Sequence, residues 1–301
     1  MALRPKRLGI NRYPLAANPG ILGGNPVSTA MPAWAASRNM GAPTSPEWTG
    51  DQVRDRFNAI PSVLYYTRAA HSLGIWESER ILIERFLPRR DARLVEAGCG
   101  SGRVTLALWK MGYRHISAFD FADELLDQAQ SLASLEGAHP IDFKCADVTR
   151  IQRSDFALED GDGFEGALMM FNGLMQIPGR LNRAEALRRL HALCRPGAPL
   201  IFTTHDRGEP EADGAWWAAE ALKWERGGQD PRLADFGDRI FENESGEVFI
   251  HIPDRGEILA GLAGAGWTHR YDAMRSEIAV ENRAVSEFSD ECRFWVAERG
   301  S

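Results

Sequence analysis

Val95 to Arg103 reads VEAGCGSGR, with Gly98, Gly100 and Gly102 at alternate positions behind an acidic residue, Glu96. Glycines at a strand-to-helix turn let a ligand lie against the main chain, and the free amides of the following helix receive a carboxylate or phosphate. A dinucleotide fingerprint requires glycine where Arg103 stands, and a P-loop requires Gly-Lys-Ser/Thr, which this stretch lacks. The Glu96 carboxylate opposes a phosphate and suits a ligand that carries positive charge near the loop. Two further acids follow, Asp120 in SAFDF and Asp147 in FKCADV. Downstream, MMFNG supplies Asn172, TTHDRG supplies His205 and Asp206, and EVFIH ends in His251. A histidine titrates near neutrality and takes a proton from a nucleophile; an asparagine orients one but accepts no proton.

The surrounding pattern places these residues at the ends of elements. Apolar runs at Arg93–Ala97, His115–Phe119, Ile141–Cys145, Phe164–Phe171 and Pro199–Thr204 alternate with helical patterns at Arg103–Met111, Asp123–Ser134 and Asn182–Cys194. A late helix opens at Asp254-Arg255-Gly256-Glu257, a capping-box spacing, and ends at Gly266. Such alternation predicts an α/β fold, a doubly wound and mostly parallel sheet with helices on both faces. Upstream, helical spacing from Asp51, from Ser62 and from Ser78 is punctuated by Pro61 and Pro88.

The chain therefore divides into a basic, Pro/Gly-rich arm over 1–46, a helical layer over 47–90 and an α/β domain over 91–301. Within the last, about 47 residues from Asp206 to Ile252 are too many for a simple connection. Trp216, Trp217 and Trp224 on a helix, then a hairpin turning at Glu244-Ser245-Gly246, predict a cap over the strand ends. In that hairpin Glu247, Phe249 and His251 share one face and Val248, Ile250 and Ile252 the other. With the aliphatic face packed inward, His251 looks toward the cleft or toward solvent.

VEAGCGSGR, SAFDF and FKCADV together resemble the class I S-adenosylmethionine-dependent methyltransferases, whose first motif is an acid followed by Gly-x-Gly-x-Gly. S-adenosylmethionine carries an ammonium and a sulfonium and no phosphate, in keeping with Glu96. The resemblance spans roughly residues 76 to 299 in outline, with the cap outside the common pattern. It implies a seven-stranded, Rossmann-like methyltransferase fold and a cofactor site of Glu96, Gly98, Gly100, Gly102, Asp120, Phe121, Asp147, Val148 and Phe171. Asp120 then holds the ribose hydroxyls and Asp147 the adenine amino group. Phe121 covers one adenine face, the Val148 amide meets a ring nitrogen, and Phe171 lies beside the reactive methyl.

Methyl transfer from a sulfonium is an in-line displacement in which the cofactor supplies the activated carbon. The protein supplies alignment, exclusion of water and a base if the nucleophile carries a proton. His205 is the first base candidate, with His251 and Asn172 as further catalytic candidates. Trp76, Asp206 and Trp216 are candidate substrate contacts. The expected acceptor is an oxygen or nitrogen of a small molecule or short peptide. Tyr65, Tyr66, Arg68 and His71 lie on the helix before Trp76, and some of them are candidates to close over the methionine end, with Arg68 pairing its carboxylate.

Composition narrows the partners. The arm carries five basic residues and no acid, so the remainder of this 301-residue chain of net charge −7 stands at −12 and repels nucleic-acid phosphates. The Asn/Asp-Pro-Pro-Tyr/Phe signature of many base-amino methyltransferases is replaced by MMFNGL. No apolar run reaches the roughly 18 residues of a membrane span. Four scattered cysteines with no Cys-x-x-Cys pair suggest no zinc site or disulfide framework and a cytoplasmic home. Two other classes fit the same motifs: a catalytically idle S-adenosylmethionine-binding or interaction protein, and another transferase on the same fold, such as an aminopropyl transferase.

Overall fold

The computed structural model describes residues 48–159, 162–209, 211–243 and 246–300. The basic arm and the hairpin-turn residues Glu244 and Ser245 lie outside the described residues. Three helices come first: α1 (Gly50–Phe57), α2 (Ile60–Ser72) and α3 (Glu77–Phe86). Thr49 starts α1 with a reciprocal cap, its hydroxyl accepting the Gln52 amide while the Gln52 side chain accepts the Thr49 amide. Pro61 sits in the first turn of α2, where an amide has no helical partner to lose.

The alternating region follows as β1 (Arg93–Ala97), α4 (Arg103–Lys110), β2 (His115–Asp120), α5 (Asp123–Leu135), β3 (Ile141–Cys145), β4 (Gly166–Met169), α6 (Arg180–Leu193) and β5 (Pro199–Thr204). The insertion contains α7 (Glu211–Glu225), β6 (Asp238–Asn243) and β7 (Gly246–His251). The chain closes with α8 (Arg255–Gly264), β8 (Trp267–Met274), α9 (Arg275–Ile278), α10 (Arg283–Phe288) and β9 (Arg293–Arg299).

Seven strands form one sheet in the order β3-β2-β1-β4-β5-β9-β8. The pairings from β3 to β5 are parallel, and β9 runs antiparallel to both its neighbours. This is the mostly parallel, doubly wound sheet that the alternation predicts. The chain winds outward from β1 through β2 and β3, then returns to the other side of β1 as β4. That reversal opens a crevice at the carboxyl ends of β1 and β4.

Alternate residues of β1 enter opposite layers. Val95 and Ala97 join Phe119, Leu187, Leu190 and Leu262, whereas Leu94 joins Leu82, Ile83, Val104 and Leu108. Both faces are thus covered, which is why the strand reads as an unbroken apolar run apart from Glu96. The fourth run is shorter than its apolar stretch. Phe164 makes only an isolated bridge to Cys194, and Phe171 and Asn172 take positive φ of 55° and 63°, which ends the ladder at Met169.

The β6–β7 hairpin packs Ile250 and Ile252 with Trp217 onto Met175, in the short 3-10 turn Gly173–Gln176 that follows β4. Its other face is covered too. Trp48, just before α1, stacks on Phe249 at 6.2 Å, and His251 is only 1% exposed. The expectation that one hairpin face looks outward is therefore corrected: α1, α6 and α8 converge on it.

Candidate active site

After β1 the chain turns through Gly98 (φ 67°), Gly100 (φ 52°) and Gly102 (φ 82°), all in the left-handed region that side chains disfavour. A Cβ on Gly98 or Gly100 would meet nothing within 4 Å, and both residues line a cleft of about 370 Å³. Gly102 does not line it. A Cβ there would stand 3.1 Å from the Ala129 Cβ, so this glycine lets α4 and α5 pack closely, a correction to its expected cofactor contact.

Asp120 ties the end of β2 to the loop, its Oδ2 accepting the Gly100 amide at 2.8 Å and its Oδ1 the Ala122 amide at 2.9 Å. Each oxygen keeps a lone pair for a further donor. Burial raises this carboxyl above its ordinary pKa, with the amides pulling the other way. Asp147 Oδ1 accepts both the amide and the hydroxyl of Thr149 at 2.8 Å, which fixes the turn after β3. Phe121, Val148 and Phe171 line the same cleft.

Glu96 is 2% exposed and its Oε2 accepts the Thr105 hydroxyl at 2.5 Å. Burial pushes its carboxyl up to about 8, against the pull of Thr105 and Arg103. Arg103 offsets little because it is already claimed. Its guanidinium grips Glu79 of α3 through two bonds of 2.6 and 2.7 Å and lies over the Trp76 ring at 4.7 Å. The cleft thus holds a buried acid with no counter-charge of its own.

The helical layer closes one side. Phe57 meets Phe121 at 6.0 Å, Tyr66 meets Phe171 edge-on at 6.0 Å, and Phe288 stacks on Phe171 at 5.5 Å. Burial and the Asp120 charge hold the Tyr66 hydroxyl protonated, well above its usual range. Phe57, Gln176, Asn182 and Phe288 line the cleft without having been anticipated. Aromatic residues at helix ends read as core, and nothing in their local pattern separates them from it.

The expected catalytic residues fall elsewhere. His205 is 7% exposed, its Nδ1 2.8 Å from the Glu291 carbonyl oxygen and its Nε2 3.4 Å from Asn172 Nδ2. Burial lowers its pKa to about 4, opposed by the carbonyl and assisted by the Arg275 charge. Neither His205 nor Asn172 lines the cleft, although Phe171 and Gly173 on either side of Asn172 do. The neutral-pH base expected at the cleft edge is an interior, neutral imidazole.

His251 is corrected more fully. Its Nδ1 lies 2.7 Å from Asp238 Oδ1, across the hairpin, and its Nε2 lies 2.6 Å from Glu257 Oε1 on α8. Arg183 of α6 approaches the same two carboxylates at 3.9 and 3.8 Å, and Arg207 pairs with Glu257 at 3.0 Å. This buried ionic cluster fastens the hairpin to α6 and α8, away from the cleft.

The three expected substrate contacts are also placed off the cleft. Asp206 pairs with Arg293 Nε at 2.8 Å and accepts the Gly208 amide. Trp216 packs edge-on against Trp217 at 4.6 Å beneath Arg239 at 4.2 Å. Trp76 is 1% exposed and backs Phe171 from behind at 5.6 Å. Among the described residues no group of three or more His, Cys, Asp or Glu side chains is arranged to hold a metal ion. No described helix is long and apolar enough to cross a membrane.

A seven-stranded sheet in this order, with a glycine-turned cleft at its switch point, defines the Rossmann-like methyltransferase class of fold. Residues 94–197 match the methyltransferase domain family. The chain is 30% identical over 146 residues to malonyl-[acyl-carrier protein] O-methyltransferase from Pseudescherichia vulneris. That match covers 48% of this chain and 52% of the relative, about half its length. A solved S-adenosylmethionine-dependent methyltransferase from Methanosarcina mazei is 18% identical with a TM-score of 0.56, covering 73% of this chain and 97% of that one. The [4+2]-cyclase SpnF is 17% identical with a TM-score of 0.57, covering 85% and 98%. Likeness at these identities shows the fold.

Proposed function

We propose that the chain transfers a methyl group from S-adenosylmethionine to an oxygen or nitrogen of a small molecule or short peptide. The observation that carries this reading is the convergence of Glu96, Gly98, Gly100, Asp120, Asp147 and Phe171 on one cleft. The donor set fits the cofactor. Open space in front of Gly98 and Gly100 admits a ligand against bare backbone. The remaining Asp120 lone pairs accept the two ribose hydroxyls, Asp147 accepts the adenine amino group with Val148 beside it, and Phe57 and Phe121 flank the ring. Glu96, short of counter-charge, favours the cationic methionine end.

When bound, S-adenosylmethionine supplies the activated methyl carbon. The chain's own part is alignment and dryness: Tyr66, Phe171 and Phe288 wall the cleft with rings and exclude water there. With neither His205 nor His251 on the cleft, the reading favours a nucleophile whose lone pair is free near neutrality, such as a carboxylate or a weakly basic aromatic amine. The insertion over about 206–252 is assigned to the acceptor side, because its hairpin seats Met175 beside the cleft residue Gln176. The four unpaired cysteines accord with action in a reducing cytoplasm. An acid-lined cleft in an acidic body suits a small acceptor better than a nucleic acid.

Isothermal calorimetry with S-adenosylmethionine and its demethylated product, followed by transfer from methyl-labelled cofactor, tests the proposal. Saturable binding of both ligands and a labelled acceptor are expected. Failure to bind either ligand overturns the reading, and binding without transfer to amines, hydroxyls or carboxylates leaves the idle-binder reading in its place.

A further inference from the structure

The helix α1 is eight residues long and buries only Val53. Isolated helices need about 12–15 residues to be even marginally stable in water, so α1 owes its helicity to what it touches. It touches two parts of the molecule. On one side Gly50 and Phe57 line the cleft, with the Phe57 ring 6.0 Å from Phe121 and 5.6 Å from Tyr66. Asn58, which ends the helix, donates to Asp123 Oδ1 at 2.6 Å and accepts the Glu124 amide at 3.2 Å, at the start of α5 and close behind Asp120. On the other side α1 packs along β7. Trp48 stacks on Phe249 at 6.2 Å, and the Arg56 guanidinium lies so close to Gly246 that a Cβ there would stand 2.9 Å from Nη1.

No described residue of β6 or β7 lines the cleft, so the hairpin feels what fills the cleft only through a neighbour that touches both. Two neighbours do. Met175 sits under Ile250 and Ile252 beside the cleft residue Gln176, but it is 1% exposed and belongs to the packed body. The other is α1, which is marginal by itself and is ordered by its contacts. An element of that kind, once steadied on one side, is steadied on the other.

We propose that α1 couples the cofactor cleft to the β6–β7 hairpin. A ring seated against Phe57 and Phe121 steadies the helix, and the steadied helix holds Trp48 and Arg56 against β7. The hairpin is seated more tightly when the cleft is filled, which places cofactor before acceptor in the order of binding. Coupling of this kind is reciprocal, so an unlatched hairpin weakens the cofactor by the same factor. Trp48 acts through α1 and is a positioning residue. The identity of the ring as adenine, and of the hairpin as the acceptor side, rests on the methyltransferase reading; the coupling itself does not.

Amide hydrogen exchange of the full chain, with S-adenosylhomocysteine as the probe, tests the coupling. The probe is expected to slow exchange in α1 and in Gly246–His251 by about fivefold or more, the lower end of ordinary coupling between sites. Trp48→Ala is expected to abolish the slowing in β7, to keep it around Gly100, and to weaken S-adenosylhomocysteine in calorimetry by about the factor lost. Trp48→Phe keeps a ring for Phe249 and is expected to restore both. Exchange in β7 that ignores the probe overturns the coupling, and so does slowing that survives Trp48→Ala, which would run through Met175 instead. In the unliganded chain Phe57→Ala is expected to speed exchange in β7, and an unchanged rate there overturns the coupling as well. If S-adenosylhomocysteine does not bind while Phe57→Ala still speeds β7, the methyltransferase reading falls and the coupling stands.

Discussion

Cofactor binding should expel a proton, and Glu96 should be its source. With its carboxyl pushed up to about 8 by burial, Glu96 is protonated in about 0.9 of unliganded molecules at pH 7. A cation settling in the same cleft favours the carboxylate; a downward shift of about two units leaves only about 0.1 protonated. About 0.8 proton is then released at pH 7, falling toward 0.1 at pH 9, where the group is already ionised. Affinity rises by about sixfold per pH unit around neutrality and flattens above about pH 8. Calorimetric titrations in two buffers of very different ionisation enthalpy count the protons, and Glu96→Gln isolates the carboxyl from the ligand's own amine. Equal proton release in wild type and Glu96→Gln would refute the argument. The same shift has a stability consequence. Glu96 is raised in the fold from its ordinary 4.5, so its contribution is present below that pH and is lost as pH rises through about 8. Glu96→Gln should accordingly be the more stable protein at pH 9.

Asp120→Ala removes a charged acceptor worth about 1.5–3 kcal/mol per bond, so S-adenosylmethionine affinity should fall at least tenfold in calorimetry; an unchanged constant contradicts the ribose assignment. His205, lowered from 6.5 to about 4, favours the fold in its neutral form. Its contribution is present above pH 6.5 and is lost on acidification to about 4, on the order of 3 kcal/mol, and urea melts of His205→Gln should lack that loss. His251→Leu strands Asp238 and Glu257 and should cost about 3–5 kcal/mol in urea melts, with cofactor affinity of the folded protein unchanged; a wild-type midpoint contradicts the clamp.

The sheet was legible because its central strands are buried on both faces and read as apolar runs, and because glycines and acids mark their carboxyl ends. Gly98, Gly100, Asp120 and Asp147 could be placed from those signals alone. Gly102 looked identical in spacing, but its role depends on Ala129, which belongs to the second helix of the winding. The histidines were misplaced for a related reason. His205 takes its tautomer from a carbonyl 86 residues away, and His251 is claimed by one acid across the hairpin and another on α8. Residue type and local alternation say which face a side chain occupies, not what distant segment later covers that face.

The Arg103–Glu79 pair crosses a border that motif boundaries draw elsewhere. The family match begins at residue 94, yet the first residue of α4 finds its counter-ion upstream of it, on α3. The helical layer is therefore not a detachable accessory to a self-sufficient catalytic module. A chimera that transplanted only the matched segment would carry an arginine built for the interior with no acid to meet it, beside a glycine loop deprived of its anchor. Recombination or domain grafting on this scaffold has to cut upstream of α3, so that the helix and the loop it fastens are inherited together.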